Sequence, residues 1–73
     1  MATHEVESEV TGNVWKIVVE VGGPVDEGEV IMILESMKME IPVESPVAGT
    51  VVEIKVAEED QVEEDQVVAI VEA

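Results

Sequence analysis

An internal repeat constrains this chain more than any other feature of its sequence. Residues 6–35 align without a gap on residues 43–72, at an offset of 37 residues, and 13 of the 30 positions are identical. Two copies are too few for a solenoid. We therefore expect two similar halves, related by a pseudo-twofold axis, that bury each other's apolar faces. The identical pairs are Val6/Val43, Glu7/Glu44, Ser8/Ser45, Val10/Val47, Gly12/Gly49, Val14/Val51, Ile17/Ile54, Val19/Val56, Val25/Val62, Glu27/Glu64, Val30/Val67, Ile33/Ile70 and Glu35/Glu72.

Short runs rich in valine and isoleucine predict strands, because β-branched side chains pack well on a pleated surface. In the first run, Trp15, Ile17, Val19 and Val21 alternate with less apolar positions, as expected of a half-buried strand. Turn residues such as Gly22-Gly23-Pro24 separate the runs. An all-β domain of about eight short strands follows. The runs cover residues 14–21, 30–34, 51–56 and 67–71.

The junction between the two copies, residues 36–42, predicts a projecting hairpin. Under a twofold axis the junction lies at one end of the domain and the chain termini lie at the other. A strand ending at Glu35 and one leaving Met39 form a hairpin most simply, with Met37 and Lys38 at its tip. This turn lacks the Asn-Gly or Gly that tight hairpins prefer. A turn that departs from the local rule is a place to look for function.

Lys38 has two interpretations, an ordinary solvated surface lysine or a functional amine. Lys38 is one of three lysines, it lies in the junction, and apolar residues flank it on both sides. Lys16 and Lys55 instead fall within predicted strands, where we expect them to face solvent. These features favour a functional role for Lys38.

The methionines are equally ambiguous from periodicity alone. Met32 lies in a continuous apolar run and is expected in the core. Met37 and Met39 either extend that core or form a soft, adaptable surface for a modifying enzyme. The sequence leaves both interpretations open.

The charge excludes several classes of partner. Eighteen acidic residues against three lysines give a net charge of −15, so nucleic acid and anionic membranes would repel the chain. At 73 residues with 47% hydrophobic content we expect one soluble domain, residues 1–73, that is monomeric. The sequence has no cysteine and no apolar stretch typical of a signal peptide, which favours a cytoplasmic location.

The residue inventory argues against catalysis and against a metal site. The chain has one histidine, His4, and no cysteine, arginine or tyrosine, so its serines have no neighbouring base to activate them. The acidic segments 58–60 and 63–65 lack the spacing and central glycine of a calcium loop. Because the repeat aligns both segments with residues 20–28, we interpret them as turns. We expect no catalytic residue and no metal.

The segment Glu35-Ser36-Met37-Lys38-Met39-Glu40 resembles the biotinylation motif of the biotin carboxyl carrier domains, which belong to the biotinyl/lipoyl attachment family. The resemblance extends from about Val6 to Glu72 and is strongest to the stand-alone carrier-like proteins. It implies the hammerhead fold, a flattened β-barrel or barrel-sandwich hybrid of two antiparallel four-stranded sheets with pseudo-twofold symmetry. This expectation agrees with the repeat.

The resemblance also implies a function for the junction. Lys38 would carry covalently attached biotin, with Met37 and Met39 recognised by a biotin protein ligase. The carrier itself would not be an enzyme. It would shuttle carboxylate between a biotin carboxylase and a carboxyltransferase.

Two positions depart from the family pattern, and alternatives stay open. Ser36 stands where the motif usually has alanine, and the first copy has Val10-Thr11-Gly12 where the family often has proline before the glycine. Lipoyl domains share the fold and the hairpin, so a lipoyl carrier modified by lipoate ligase, or a relaxed carrier of both groups, is an alternative. A third alternative is an unmodified acidic module that binds another protein.

Overall fold

The computed structural model describes residues 2–73, which form eight β-strands and no helix. No helix in this range is therefore long and apolar enough to cross a membrane. The strands are β1 (Thr3–Glu7), β2 (Gly12–Ile17), β3 (Pro24–Val25), β4 (Val30–Ser36), β5 (Met39–Glu44), β6 (Gly49–Ile54), β7 (Gln61–Val62) and β8 (Val67–Glu72).

The strands form two four-stranded antiparallel sheets. One sheet has the order β1-β8-β6-β3 and the other has the order β5-β4-β2-β7. The two sheets share no strand within residues 2–73, so they stack as a flattened barrel-sandwich rather than close into a continuous barrel. The all-β class and the two four-stranded sheets predicted from the sequence are confirmed.

The two halves of the chain exchange strands. β2 pairs with β4 in the first half, as β6 pairs with β8 in the second. The remaining strands all cross over, since β1 pairs with β8, β5 with β4, β3 with β6 and β7 with β2. Loop hydrogen bonds cross in the same way, as Ser8 N donates to Gln66 O and Ser45 N to Glu29 O, both at 2.9 Å. Neither half can satisfy its own backbone groups alone.

The core repeats the same pairing. The twelve buried apolar residues of the described chain occupy six pairs of equivalent positions in the two copies. The pair Met32/Ala69 shows how a large side chain in one half is matched by a small one in the other, which keeps the interior close-packed. The pairs are Val6/Val43, Val14/Val51, Val25/Val62, Ile31/Val68, Met32/Ala69 and Leu34/Val71.

The expectation for the first apolar run was wrong in detail. β2 ends at Ile17, and its register with β4 shifts between Val14 and Lys16, which leaves Trp15 as the extra residue of a β-bulge. A bulge reverses the alternation of faces. Val14 is therefore buried, whereas Trp15 is 51% exposed and Val21 also faces solvent.

The acidic segments form turns, as the repeat predicted. Glu59 and Asp65 have φ values of 78° and 69°, and their counterparts Gly22 and Gly28 have φ values of 92° and 83°. The same left-handed turns therefore occur in both halves, with glycine in one and an acidic residue in the other. Within residues 2–73, no group of three histidine, aspartate or glutamate side chains is placed to hold a metal ion.

Replacing Gly49 with alanine tests how closely the halves pack. A Cβ at Gly49 would collide with the Glu72 carbonyl oxygen and approach the Ala73 Cα at 3.1 Å, so the backbone must shift. We expect Gly49→Ala to lower the free energy of unfolding by about 2 kcal/mol or more, measured by urea unfolding followed by circular dichroism.

Gly28→Ala is the matched control for this prediction. Gly28 has a φ of 83° and open space around the Cβ position, so alanine there meets only backbone strain of about 1 kcal/mol. If Gly49→Ala lowers the free energy of unfolding by less than Gly28→Ala does, the close packing of Gly49 against Glu72 is contradicted.

Candidate functional site

The β4–β5 hairpin ends in a two-residue turn formed by Met37 and Lys38. Ser36 pairs with Met39, and the two turn residues have φ values of 52° and 65°. Positive φ at both central residues is the requirement of a type I′ turn, whose backbone twist matches that of the flanking strands. Each of these side-chain-bearing residues costs about 1–2 kcal/mol in the left-handed region. The predicted hairpin tip is confirmed, and it is strained.

This turn has no counterpart in the other half. The positions equivalent to Ser36 and Met39 are Ala73 and Ala2, which pair through two backbone hydrogen bonds of 3.2 and 2.9 Å. Ala2 and Ala73 thus pair at the position that corresponds to the base of the hairpin. The described chain is elongated, with dimensions of 36 × 19 × 19 Å.

The Lys38 side chain is exposed and makes no ion pair within residues 2–73. At the neck of the hairpin, Glu35 and Glu40 stand directly opposite each other. Like charges in this position are destabilising. The amine of Lys38 therefore lies at the hairpin tip, just past a pair of opposed carboxylates.

The methionines beside Lys38 do not extend the core. Met37 is 92% exposed and Met39 is 64% exposed, whereas Met32 is fully buried as predicted. The core interpretation of Met37 and Met39 is therefore wrong. Two flexible, polarisable side chains flank the amine and are available to pack against another molecule.

A polar brace, formed by Ser36 and Thr11, fixes the base of the hairpin. Ser36 Oγ donates a hydrogen bond of 2.8 Å to Thr11 O, and Thr11 Oγ1 accepts one of 3.2 Å from Glu64 N. Gly12 packs so closely here that a Cβ would meet the Glu35 carbonyl oxygen. The brace joins the hairpin to a turn of the other half. Its two residues have alanine, Ala73 and Ala48, at the equivalent positions.

The brace was missed by the sequence analysis, although both of its residues stood out there. Ser36 departs from the family motif and Thr11 belongs to a segment without the usual proline, but nothing in the sequence joins two positions 25 residues apart. The signal that could have found them is the repeat itself, because both hydroxyls are absent from the second copy.

The remaining reactive groups are already occupied or lie away from the tip. The hydroxyls of Ser8 and Ser45 donate to the carbonyl oxygens of Val10 and Val47. Lys55 pairs with Glu53 at 3.5 Å, and Lys16 is exposed in β2. His4 is half-buried in β1. The tip of the hairpin is therefore the site with a distinct chemistry, that of a presented amine.

Comparisons with known proteins show which family this chain resembles. The model of the biotin–lipoyl family, described as biotin-requiring enzyme, matches residues 2–71. The chain is 44% identical over 50 residues to the biotin/lipoyl attachment protein of Bacillus subtilis (strain 168), which covers 68% of each chain. It is also 44% identical over 50 residues to a biotinylated protein TB7.3 homolog of Mycobacterium leprae (strain TN), covering 68% of this chain and 70% of the relative.

A solved structure shows the same fold within a much larger enzyme. The crystal structure of urea carboxylase from Kluyveromyces lactis superposes with a TM-score of 0.92 and 35% sequence identity. The match covers 97% of this chain and 6% of that enzyme. The family model spans nearly the whole chain, and the matched segment covers about two thirds of each of the two curated relatives. The chain therefore belongs to the biotin/lipoyl attachment family.

Proposed function

We propose that this protein is a non-catalytic carrier of biotin, attached through an amide bond to Lys38 by a biotin protein ligase. One observation supports the proposal most strongly. Lys38 is a central residue of a strained left-handed turn, between two exposed methionines, at the tip of the β4–β5 hairpin. A surface lysine without a function would not need a turn that costs free energy.

The attachment chemistry follows from the isolation of the amine. A ligase activates the biotin carboxylate as an acyl-adenylate, and Lys38 Nζ attacks the acyl carbon as a neutral amine. The C–N bond forms, the bond to AMP breaks, and AMP leaves. The amine proton must pass to the ligase or to water. Within residues 2–73 no salt bridge or hydrogen bond engages Lys38 Nζ, so the carrier's task is presentation.

The cargo of the biotinylated protein is carboxylate. The biotin ring, at the end of the long lysyl arm, would accept the carboxylate at a biotin carboxylase and transfer it to a carboxyltransferase. Tethering raises the effective concentration of the group at both sites. The likeness to urea carboxylase supports a carboxylase as partner. We propose that the carrier acts as a monomer in the cytoplasm.

A second cargo, lipoate, is favoured by one specific observation. The relative from Bacillus subtilis is named a biotin/lipoyl attachment protein and is 44% identical. Because a lipoyl group would be attached to the same amine, a lipoate ligase would use Lys38 as well. The two cargoes are distinguished by the mass that each ligase adds.

Replacing Lys38 with arginine tests the attachment site. Arginine keeps the charge but has no amine that forms the amide, so Lys38→Arg should abolish biotinylation by a biotin protein ligase, measured by intact mass. Lys16→Arg and Lys55→Arg are the matched controls and should be modified like the parent protein. Biotin on Lys16 or Lys55 of the Lys38→Arg variant would contradict the assignment of Lys38 as the attachment site.

Replacing Met37 with asparagine separates the geometry of the turn from recognition. Asparagine favours the first position of a type I′ turn, and the 92% exposed Met37 contributes no core packing. Met37→Asn should therefore raise the free energy of unfolding by up to about 1 kcal/mol. The same variant should lower kcat/KM for biotinylation by about tenfold, because the ligase loses an apolar contact.

Met32→Leu provides the comparison for this experiment. Met32 is fully buried, and a swap that conserves volume changes stability by less than about 1.5 kcal/mol without touching the tip. Its rate of biotinylation should equal that of the parent protein. If Met37→Asn is biotinylated as fast as the parent, Met37 has no role in recognition.

A further inference from the structure

The two halves provide an internal comparison for every surface feature. Whatever folding alone requires recurs at equivalent positions, as the six core pairs and the matched turns do. A feature found at the Lys38 end without a counterpart at the other end is therefore a candidate for function. Besides the turn and the brace, one such feature is a groove beside Trp15.

The groove begins at the base of the hairpin. Trp15, the single aromatic residue of the sequence, is the outward-facing residue of the β2 bulge. Asn13 and Glu35 pair across β2 and β4 at one end of the groove, and the loop between β6 and β7 forms its other side. The residues that define the groove are Asn13, Trp15, Glu35, Val56, Glu58 and Glu59.

The loop that carries the groove's acidic residues is held in place. Glu58 Oε2 accepts a hydrogen bond of 3.1 Å from Ile17 N, and Glu59 N donates one of 2.7 Å to Val14 O. Both contacts tie the loop to β2, on either side of Trp15. The loop backbone and the Glu58 carboxylate are thus fixed beside Trp15, which lowers the entropic cost of binding.

Three carboxylates surround the indole without a cation. Glu35, Glu58 and Glu59 form no salt bridge within the described chain, where the one ion pair joins Lys55 and Glu53. At the equivalent positions of the other half, Val52 replaces Trp15, and Val21 and Gly22 replace Glu58 and Glu59. Among residues 2–73, the combination of an exposed indole with carboxylates that form no salt bridge therefore occurs only at the end that presents Lys38.

We propose that this groove is a docking surface for the ligase that acylates Lys38, and that it receives an arginine side chain of that enzyme. A guanidinium stacks on an indole face and forms paired hydrogen bonds with carboxylates. Charge complementarity favours such an occupant, since the chain has a net charge of −15 and would be steered towards a basic surface. This inference rests on the proposed attachment of biotin to Lys38.

The groove is close enough to Lys38 for one enzyme to engage both. Glu35 lies three residues before Lys38, with part of the turn between them, so their Cα atoms are at most about 10 Å apart at 3.3 Å per residue. A ligase surface of ordinary interface size spans more than this distance. Contact at the groove would orient the hairpin while the amine enters the ligase.

Steady-state biotinylation of the unmodified protein by a purified biotin protein ligase tests the proposal. Trp15→Val, which copies the residue at the equivalent position, should raise KM by about fivefold and leave kcat unchanged. Glu35→Gln with Glu59→Gln should also raise KM and weaken its dependence on salt. Glu58 stays unchanged, because its carboxylate holds the loop.

Val52→Ala is the matched control, since Val52 occupies the equivalent bulge and is 41% exposed. Its KM should equal that of the parent protein. Urea unfolding of each variant shows whether a change in KM arises from lost stability. If the KM of Trp15→Val equals that of the parent protein, the groove is not a docking surface for the ligase. The proposed attachment of biotin to Lys38 would be unaffected by that result.

Nuclear magnetic resonance gives a second, independent readout. The protein has one indole N–H, that of Trp15, so a single signal reports the groove. Titration of the ¹⁵N-labelled carrier with unlabelled ligase should shift this signal and those of Glu35 and Glu59, while Val52 and Glu72 stay in place. A shift that depends on carrier concentration without ligase would assign the groove to a second copy and overturn the proposal. No biotin on Lys38 of the parent protein would overturn the proposed function itself.

Discussion

The exchange of strands between the two halves is the constraint on which the rest of this structure depends. β1 and β3 find their partners in the second half, and β5 and β7 find theirs in the first. A 73-residue chain buries only about 60% of the surface that its unfolded form exposes, so neither half has enough apolar core to fold separately. The exchange also places the covalent junction at one end of the body. Lys38 is presented because the chain must turn there to enter the second half.

Symmetry makes the functional end recognisable. The core, the buried Ser8 and Ser45 and the left-handed turns all occur twice, as a fold stabilised by repetition requires. Within residues 2–73, the strained turn at Met37 and Lys38, the Ser36–Thr11 brace and the Trp15 groove each occur once. The brace offsets part of the strain, because a hydrogen bond of this kind contributes about 1 kcal/mol. A hairpin held by the brace, with an exposed Lys38 at its tip, suits the proposed carrier role, since only the modified lysine side chain would have to move between enzymes.

Much of the fold followed from the repeat, and the rest depended on contacts that no local pattern contains. The apolar runs predicted the strands, and the alignment of the copies predicted the matching acidic turns and the hairpin tip at Met37 and Lys38. Alternation failed at Trp15, because a bulge inserts one residue and reverses the faces. Periodicity could not decide whether Met37 and Met39 were buried, since both lie beside a turn. The bond from Ser36 to Thr11 depends on how two distant loops pack, and only the structure shows it.

The most direct test of the carrier function is the intact mass of the protein after expression with a biotin protein ligase, and separately with a lipoate ligase, followed by peptide mapping. We predict a single biotin on Lys38, with Lys16 and Lys55 unmodified. A lipoyl addition alone would make lipoate the cargo, and an unmodified protein under both conditions would contradict a carrier function.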